Sequence, residues 1–568
     1  MEEIRRQLEA VVRDLFGVDA DVVLTSVPEG VEGDWACNVA MRLAGQVKKS
    51  PREIADEIVG ALREESGVSF VVAGGGFINI TVSGERMFGE LSREWSEGYG
   101  ESDGGAGKLA VVEFPSPNVA KPYSVGHLRP GNQGWAVKKL LEMTGWRVVT
   151  DSHLGDTGTP FGVWVAGFGR MEQERPLTVY ELGEMYIEMK KLLREEAERG
   201  ERELADQVQG WLLKLENGDE EAVRLSEMFN GISLKHIHEV MGRLRISTDY
   251  ELGERFFFEQ GKELVAKYLE KGVFRKNKDG SVICELDGFE VPILMLKSNG
   301  AALYATTDLA TLAYRVTEWA PDKIVHCVGQ EQKFYFEQLF AMAGKIARED
   351  DDEVARGMGK IEFVHLWFGM IDQMTDGKRE KMSSRKGVVL MEELLDRAEE
   401  TARELTAGRE VSDEDVKRIA LGAIKFTDFA ADKKTGILFD WEKIFALSGY
   451  SGPFCQYAAV RVNRIIALNA DFELVDYGGY DFEDEKSLIK LLLEYPAVVK
   501  MAAERLEAHR VANYVFRLAQ EFNRYYEAVP VGKAEPREKS ARLLVMRKVA
   551  QVMGSGLDLL GIEVPERM

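Results

Sequence analysis

The chain has 568 residues, 45% of them hydrophobic and 30% charged, a soluble globular composition too long for one core and suited to about three to five domains. Its formal net charge of -23 excludes a protein that binds nucleic acid through a uniformly basic surface, and confines any such contact to local basic patches. The four cysteines, Cys37, Cys284, Cys327 and Cys455, lie far apart with no CxxC pair, which argues against a zinc knuckle or disulfide scaffold and for a reducing, cytoplasmic setting.

No apolar signal core follows Met1-Glu2-Glu3-Ile4-Arg5, and no run approaches the ~18 apolar residues of a membrane span, so no membrane is expected as a partner. Ile4, Leu8, Val11, Val12 and Leu15 fall on one stripe and predict a helix over 2–16. Ser50-Pro51-Arg52-Glu53 is a helix start: serine caps, proline fits the first turn, and glutamate three residues on completes a capping box. Residues 77–82 alternate like a strand, so 1–100 is expected to be an α+β domain. The glycine-rich 101–107 segment reads as a linker. A buried strand over 108–114, a helix over 131–144 and a strand over 146–150 make a strand–helix–strand unit of a parallel, doubly wound sheet. A charged helical insertion is expected over about 170–290, and strands return at 323–328 and 361–371. From 413 to 568 nearly everything reads as helix.

Two segments carry chemistry. In EFPSPNVAKPYSVGHLRPG (113–131) a strand ends, a proline-interrupted loop follows, and Gly126-His127 opens a helix. In a doubly wound sheet ligands bind at the carboxyl ends of strands, where helix N-termini favour phosphate. Taken alone, the segment is equally an ordinary strand–helix turn with a capping histidine. The second segment, Lys378-Arg379-Glu380-Lys381-Met382-Ser383-Ser384-Arg385-Lys386-Gly387, is a basic glycine-flanked loop in an acidic protein. It suits a polyphosphate clamp; taken alone it reads rather as a solvated charged loop, the usual fate of a charge run.

In this order the two segments resemble the HIGH and KMSKS signatures of class I aminoacyl-tRNA synthetases. SPNVAKP (116–122), DSHLGD (151–156), YATTDLA (304–310) followed by Tyr314-Arg315, and SGPFCQY (451–457) are similar to the arginyl members of that class. The N-terminal Asn38-Val39-Ala40-Met41 and Gly76-Phe77-Ile78-Asn79 are similar to that family's extra domain, so the resemblance covers nearly the whole chain. Two positions depart from the pattern. Ser124 stands where the first HIGH histidine would be, and Ser384 stands for the second KMSKS lysine; Lys121, just before the first signature, is the residue thought to substitute in this family.

The resemblance implies an α/β fold: a Rossmann-like parallel catalytic sheet over 101–412, the N-terminal α+β domain over 1–100, and an all-α anticodon-binding bundle over 413–568. It implies that arginine is activated with ATP and passed to the terminal adenosine of tRNA(Arg), with Mg2+ accompanying ATP, no dedicated metal site, and a monomeric enzyme. His127, Lys381 and Lys121 would stabilise phosphate charge, with Ser124, Gly126, Met382 and Ser383 completing the ATP site. A guanidinium needs acceptors matched to a planar five-donor fork. Glu113 and Asp308 would supply them, Tyr304 would pack against it, and Ser116, Asn118, His127 and Gln332 would hold the amino and carboxylate ends. The alternative for Glu113 is a solvated edge-strand carboxylate, and for Asp308, as the lesser reading on local grounds, the N-cap of a helix over Leu309 to Val316, a role that could coexist with substrate binding. Gln456, Tyr457, Arg461 and Asn463 would meet the tRNA, although Tyr457 also fits a core position. Lys48, Lys49 and Arg52 would touch the tRNA's outer corner.

Overall fold

Leu109-Ala-Val-Val-Glu113 is buried at every position, as a strand covered on both faces must be. In the computed structural model, which describes residues 2–568 apart from 29, 63–65, 120–121, 157, 171–176, 376–377 and 382–388, it is the inner strand β1 of a four-stranded sheet. Its partners are β2 (Arg147–Asp151), β3 (Lys323–His326) and β4 (Glu362–His365), in the spatial order β4-β3-β1-β2 and all parallel. Ala110, Val112 and Phe114 face one core with the helix α1 (Leu128–Met143), while Leu109 and Val111 face the other with α2 (Tyr304–Glu318). Helices thus cover both faces, the doubly wound arrangement expected. On α1, a Cβ at Gly134 would lie 2.2 Å from the Phe114 ring, so glycine is what lets this helix sit against β1.

Two expectations need correction. The predicted 361–371 strand is split. β4 ends at His365, and Ile371–Thr375 pairs in another sheet with Lys378–Lys381 and Ile437–Phe439. The break is at Gly369, which passes so close to the 434–436 backbone that a Cβ would lie 2.6 Å from Gly436 N. The insertion is helical through Val179–Glu198, Glu203–Glu216, Glu220–Arg243 and Phe258–Glu270, but then becomes antiparallel sheet: Arg275–Lys276, Val282–Cys284 and Ile293–Leu296. The turn between its first two strands is built by Asp279, which accepts from Ser281, and by Gly280 at φ +94.

The chain divides into two compact units, one holding 100–461, 496–519 and 553–568, the other 1–99, 462–495 and 520–552. In the second unit an antiparallel sheet runs Leu24–Ser26, Trp35–Cys37, Phe77–Val82, Val68–Ala73. The capping box forms as predicted: Glu53 N–H donates to Ser50 Oγ at 3.3 Å and Ser50 N–H to Glu53 Oε2 at 2.9 Å. Phe88 stacks on Phe482 with centroids 4.1 Å apart, joining the N-terminal segment to 462–495 within this unit.

In the first unit, the helix α3 (Asp413–Asp428) and the start of the helix Gly452–Leu468 approach through glycine. A Cβ on Gly452 would lie 2.2 Å from the carbonyl oxygen of Gly422. Backbone cannot yield as a flexible side chain does, so Gly452→Ala is expected to cost about 1–3 kcal/mol by overpacking. A lowered thermal midpoint by circular dichroism checks this, and an unchanged one refutes it.

Candidate active site

Parallel pairing sets four strand-end side chains in register: His365 beside His326, His326 beside Glu113, and Glu113 beside Asp151. They form a row at the carboxyl edge, where a doubly wound sheet binds ligands. Glu113 is buried, and its Oε2 lies 2.7 Å from Arg315 Nη2 and 3.1 Å from His326 Nδ1. Burial raises its pKa, but His326 and Arg315 outweigh burial and hold it well below the ordinary carboxylate range. A guanidinium of the protein itself thus holds one of the Glu113 oxygens. Glu113 Oε1 accepts from Ser116 Oγ at 3.4 Å.

Asp308, on the first turns of α2, is the carboxylate with no arginine or lysine partner among the described residues. Tyr335 O–H donates to its Oδ2, and His153 Nε2 lies 3.5 Å from its Oδ1. His153 is held from its other side by the Leu252 carbonyl, 3.0 Å from Nδ1. Burial pushes the Asp308 pKa up, and His153 and Tyr335 only partly oppose it. The charge of Glu113 adds to that rise. Asp308 lies inside the helix rather than capping it; the residue before the helix is Leu303. Tyr304 is exposed and meets Tyr335 edge-on at 4.7 Å.

Beside this acidic pocket lies a cleft of about 380 Å³ lined by Ser116, Ser124, Gly126, His127, Gln332 and Val389, among others. The turn Val125–His127 precedes α1, and Ser124 N–H donates to His127 Nδ1 at 3.2 Å. An accepting Nδ1 leaves the proton of the neutral ring on Nε2, as a donor. Behind the turn, buried Arg129 anchors α1: its Nε donates to Asp428 at 2.7 Å and its Nη1 to the Gly369 and Thr435 carbonyls at 2.7 and 3.0 Å. Both flanks of the basic loop reach this place. Ile371 lines the cleft, and after the loop Val389 O accepts from Val125 N–H at 3.1 Å while Met391 N–H donates to Tyr123 O at 3.0 Å. Lys381 is described through its backbone, paired with Asp372; Lys121, Met382 and Ser383 lie outside the described residues.

Asn118 is exposed and bridges to Gly155 through backbone. Gln456 is a correction: it is fully buried, and its Nε2 donates to the Arg418 and Glu563 carbonyls at 2.9 and 2.8 Å, which makes it a tie between segments rather than a surface reader. Tyr457 is half-buried under Arg461, whose guanidinium carbon sits 4.3 Å from the ring centroid. Asn463 is exposed. Asp151, His153, Arg315, His326 and Tyr335 were given no role in the sequence reading. The available signal for Arg315 was its spacing: seven residues after Asp308 on one helix is nearly two full turns, hence the same face.

The fold and this strand-edge site define a class I aminoacyl-tRNA synthetase. Residues 96–441 match the family described as tRNA synthetases class I (R), catalytic domain; 455–568 match the DALR anticodon binding domain, and 2–82 the arginyl tRNA synthetase N terminal domain. An arginine–tRNA ligase of Lactococcus lactis subsp. lactis is 32% identical over 100% of this chain and 99% of its own. One of Streptococcus pneumoniae serotype 4 is 31% identical over the same shares. The chain belongs to the arginyl-tRNA synthetase family. Its fold is similar to the arginyl-tRNA synthetases of Thermus thermophilus (TM-score 0.77, 22% identity, 100% of both chains) and Plasmodium falciparum (TM-score 0.77, 20% identity, 100% and 99% of the chains).

Proposed function

We propose that this protein joins arginine to tRNA(Arg): the arginine carboxylate attacks the α-phosphorus of ATP, pyrophosphate leaves, and the arginyl group passes to the terminal adenosine. The observation that carries this reading is the adjacency of two unlike sites on one sheet edge, an acidic pocket around Asp308 and a cleft entered by His127. In-line phosphoryl transfer needs positioning and charge stabilisation rather than a protein nucleophile. His127, donating from Nε2, supports charge on the phosphate oxygens, and Gly126 admits the nucleotide close to the turn. Lys381, Lys121, Ser124, Met382 and Ser383 complete the ATP site by their motif positions. Asp308 pairs with the arginine guanidinium, Tyr304 packs on it, and Ser116, Asn118 and Gln332 hold its amino-acid end. Among the described residues no cluster of His, Cys, Asp and Glu could hold a metal ion. We place Mg2+ with the phosphates of ATP, and no step here runs through it.

The family matches support a three-part reading; for it we propose an N-terminal domain over 1–100, a catalytic domain over 101–412 and an anticodon-binding bundle over 413–568, while the catalytic match itself runs on to 441 and the anticodon-binding match starts at 455. Tyr457, Arg461 and Asn463 offer the tRNA a ring and polar donors, the means by which single-stranded loops are read. Lys48, Lys49 and Arg52, all exposed, serve its outer corner. Four buried free cysteines suit the cytoplasm, and the enzyme acts as a monomer.

The test is ATP–pyrophosphate exchange with the purified chain. Exchange that depends on arginine and tRNA is expected. Tight tRNA binding without exchange would instead indicate a tRNA-binding relative that has lost activation, with Ser124 as the reason. His127→Ala is expected to slow exchange by about 10²–10³, the usual worth of one positioned donor. A slowing below threefold would remove His127 from the chemistry.

A further inference from the structure

One helix of the insertion touches the surroundings of both signature segments. In Val179–Glu198, Leu182, Met185 and Met189 are buried in a core with Trp164 and Phe229, and Trp164 Nε1 donates to the Leu182 carbonyl at 3.2 Å, so one face of the helix is fixed within the insertion. Tyr180 and Gly183, three residues apart, share the opposite face. Gly183 packs against Pro122, next to Lys121 in the first segment: a Cβ there would lie 3.1 Å from Pro122 Cδ. The Tyr180 hydroxyl donates to Glu392 Oε2, in the first turn of the helix Met391–Leu405 that follows the basic loop.

The acid that serves its own helix start is Glu393, which accepts from the Leu390 N–H at 3.4 Å. Glu392 reaches the insertion instead. Besides Tyr180 it meets His236, buried in Glu220–Arg243, whose Nδ1 lies 3.5 Å from Glu392 Oε1 and whose ring meets Tyr180 edge-on at 5.7 Å. Burial lowers the His236 pKa, so its ring faces the carboxylate uncharged and the tyrosine hydroxyl is the stronger tie. We infer that this insertion helix sets the separation of the two ATP-binding segments, and that Tyr180, acting through Glu392, is a positioning residue for ATP. This rests on the assignment of the His127 cleft to ATP made above. Glu392 directly follows Val389 and Met391, whose backbones bond to Val125 and Tyr123, and Val389 lines the cleft, so a shift of Glu392 moves the cleft wall. Misplacement by about 1 Å can cost such a reaction about 10²-fold.

The test uses the full chain with tRNA present and follows arginine-dependent pyrophosphate exchange. Tyr180→Phe removes one hydroxyl and keeps the ring against His236. It is expected to raise the ATP KM about tenfold, with the arginine KM changed less than about twofold and the melting midpoint unchanged. Glu392→Ala, which places a strong helix former in the first turn, is expected to do the same. Both variants break one link, so adding Tyr180→Phe to Glu392→Ala should raise the ATP KM by less than about a further twofold. An unchanged ATP KM in Tyr180→Phe, or losses that multiply in the double variant, would overturn the inference. Equal rises in the ATP and arginine KM would overturn it too, because the helix would then support the whole site rather than the ATP segments. Should Tyr180→Phe fail to fold, Glu392→Ala alone is read by the same split between the two KM values. A parent chain without arginine-dependent exchange would instead overturn the assignment of the cleft to ATP, so the two failures are distinct.

Discussion

Asp308→Asn is expected to raise the arginine KM by about 10²–10³ while the ATP KM stays within about threefold, the largest change any single substitution in this pocket should produce. A buried ion pair deprived of one partner loses about 2–5 kcal/mol, and at 1.36 kcal/mol per decade that spans this range. Asparagine keeps the shape and one accepting oxygen for the Tyr335 hydroxyl, but turns a donor toward the fork it should receive. Misfolding is separable from lost pairing. Burial raises the Asp308 pKa, so carrying the charge costs the unliganded fold, and the variant should melt no lower than the parent. A second signature is acid dependence. Arginine pairs with the ionised form, whose folded pKa lies above the ordinary carboxylate value, so affinity should fall with acidification from a pH above the usual range. The variant should lose that slope. Isothermal titration giving equal arginine affinities for parent and variant would remove Asp308 from the pocket.

The elements that position this site were legible where local chemistry decides them. The Ser50 capping box, the fully apolar run ending at Glu113 and the Gly126-His127 helix entry each declare themselves within a few residues. Glu113 and Asp308 were legible as acids at element ends, but the partner of Glu113 was not. Arg315 lies 202 positions away in sequence, and only the parallel pairing of Glu113 with Asp151 and His326 brings those three to the place it fills. Strand register is set by tertiary packing, and a single chain read from end to end does not display it. The same limit explains Gln456, whose signature position suggested a reader of RNA. Its amide instead spans backbone carbonyls of Arg418 and Glu563, one far upstream and one far downstream. The broken 361–371 run failed for another reason. Its residues do favour strand, but the close passage at Gly369 sends the two halves into different sheets.

Lys425→Met should stabilise the protein, and most strongly at and below neutral pH. Lys425 is fully buried on α3, its Nζ has no hydrogen-bond partner among the described residues, and a Cβ on Gly561 would lie 2.9 Å from that nitrogen and 2.8 Å from the Trp135 ring. Burial, reinforced by Arg245, lowers its pKa from 10.5 to about 7. The unfolded chain keeps the proton up to its ordinary pKa, whereas the folded chain releases it near 7. Between those two values the unfolded state binds more protons, so stability rises with pH through that window and is lowest, and flat, below 7. At 1.36 kcal/mol per pH unit the window is worth about 5 kcal/mol. Methionine fills a similar volume with an unbranched, adaptable stem and carries no charge to desolvate. The melting midpoint of the variant should therefore exceed that of the parent at pH 6, with the gap narrowing steadily toward pH 10. A gap that stays constant across that range would mean that the lysine is not neutralised by folding. A variant less stable than the parent at pH 6 would mean that its charge has a partner on which the junction of α1, α3 and the Gly561 turn depends.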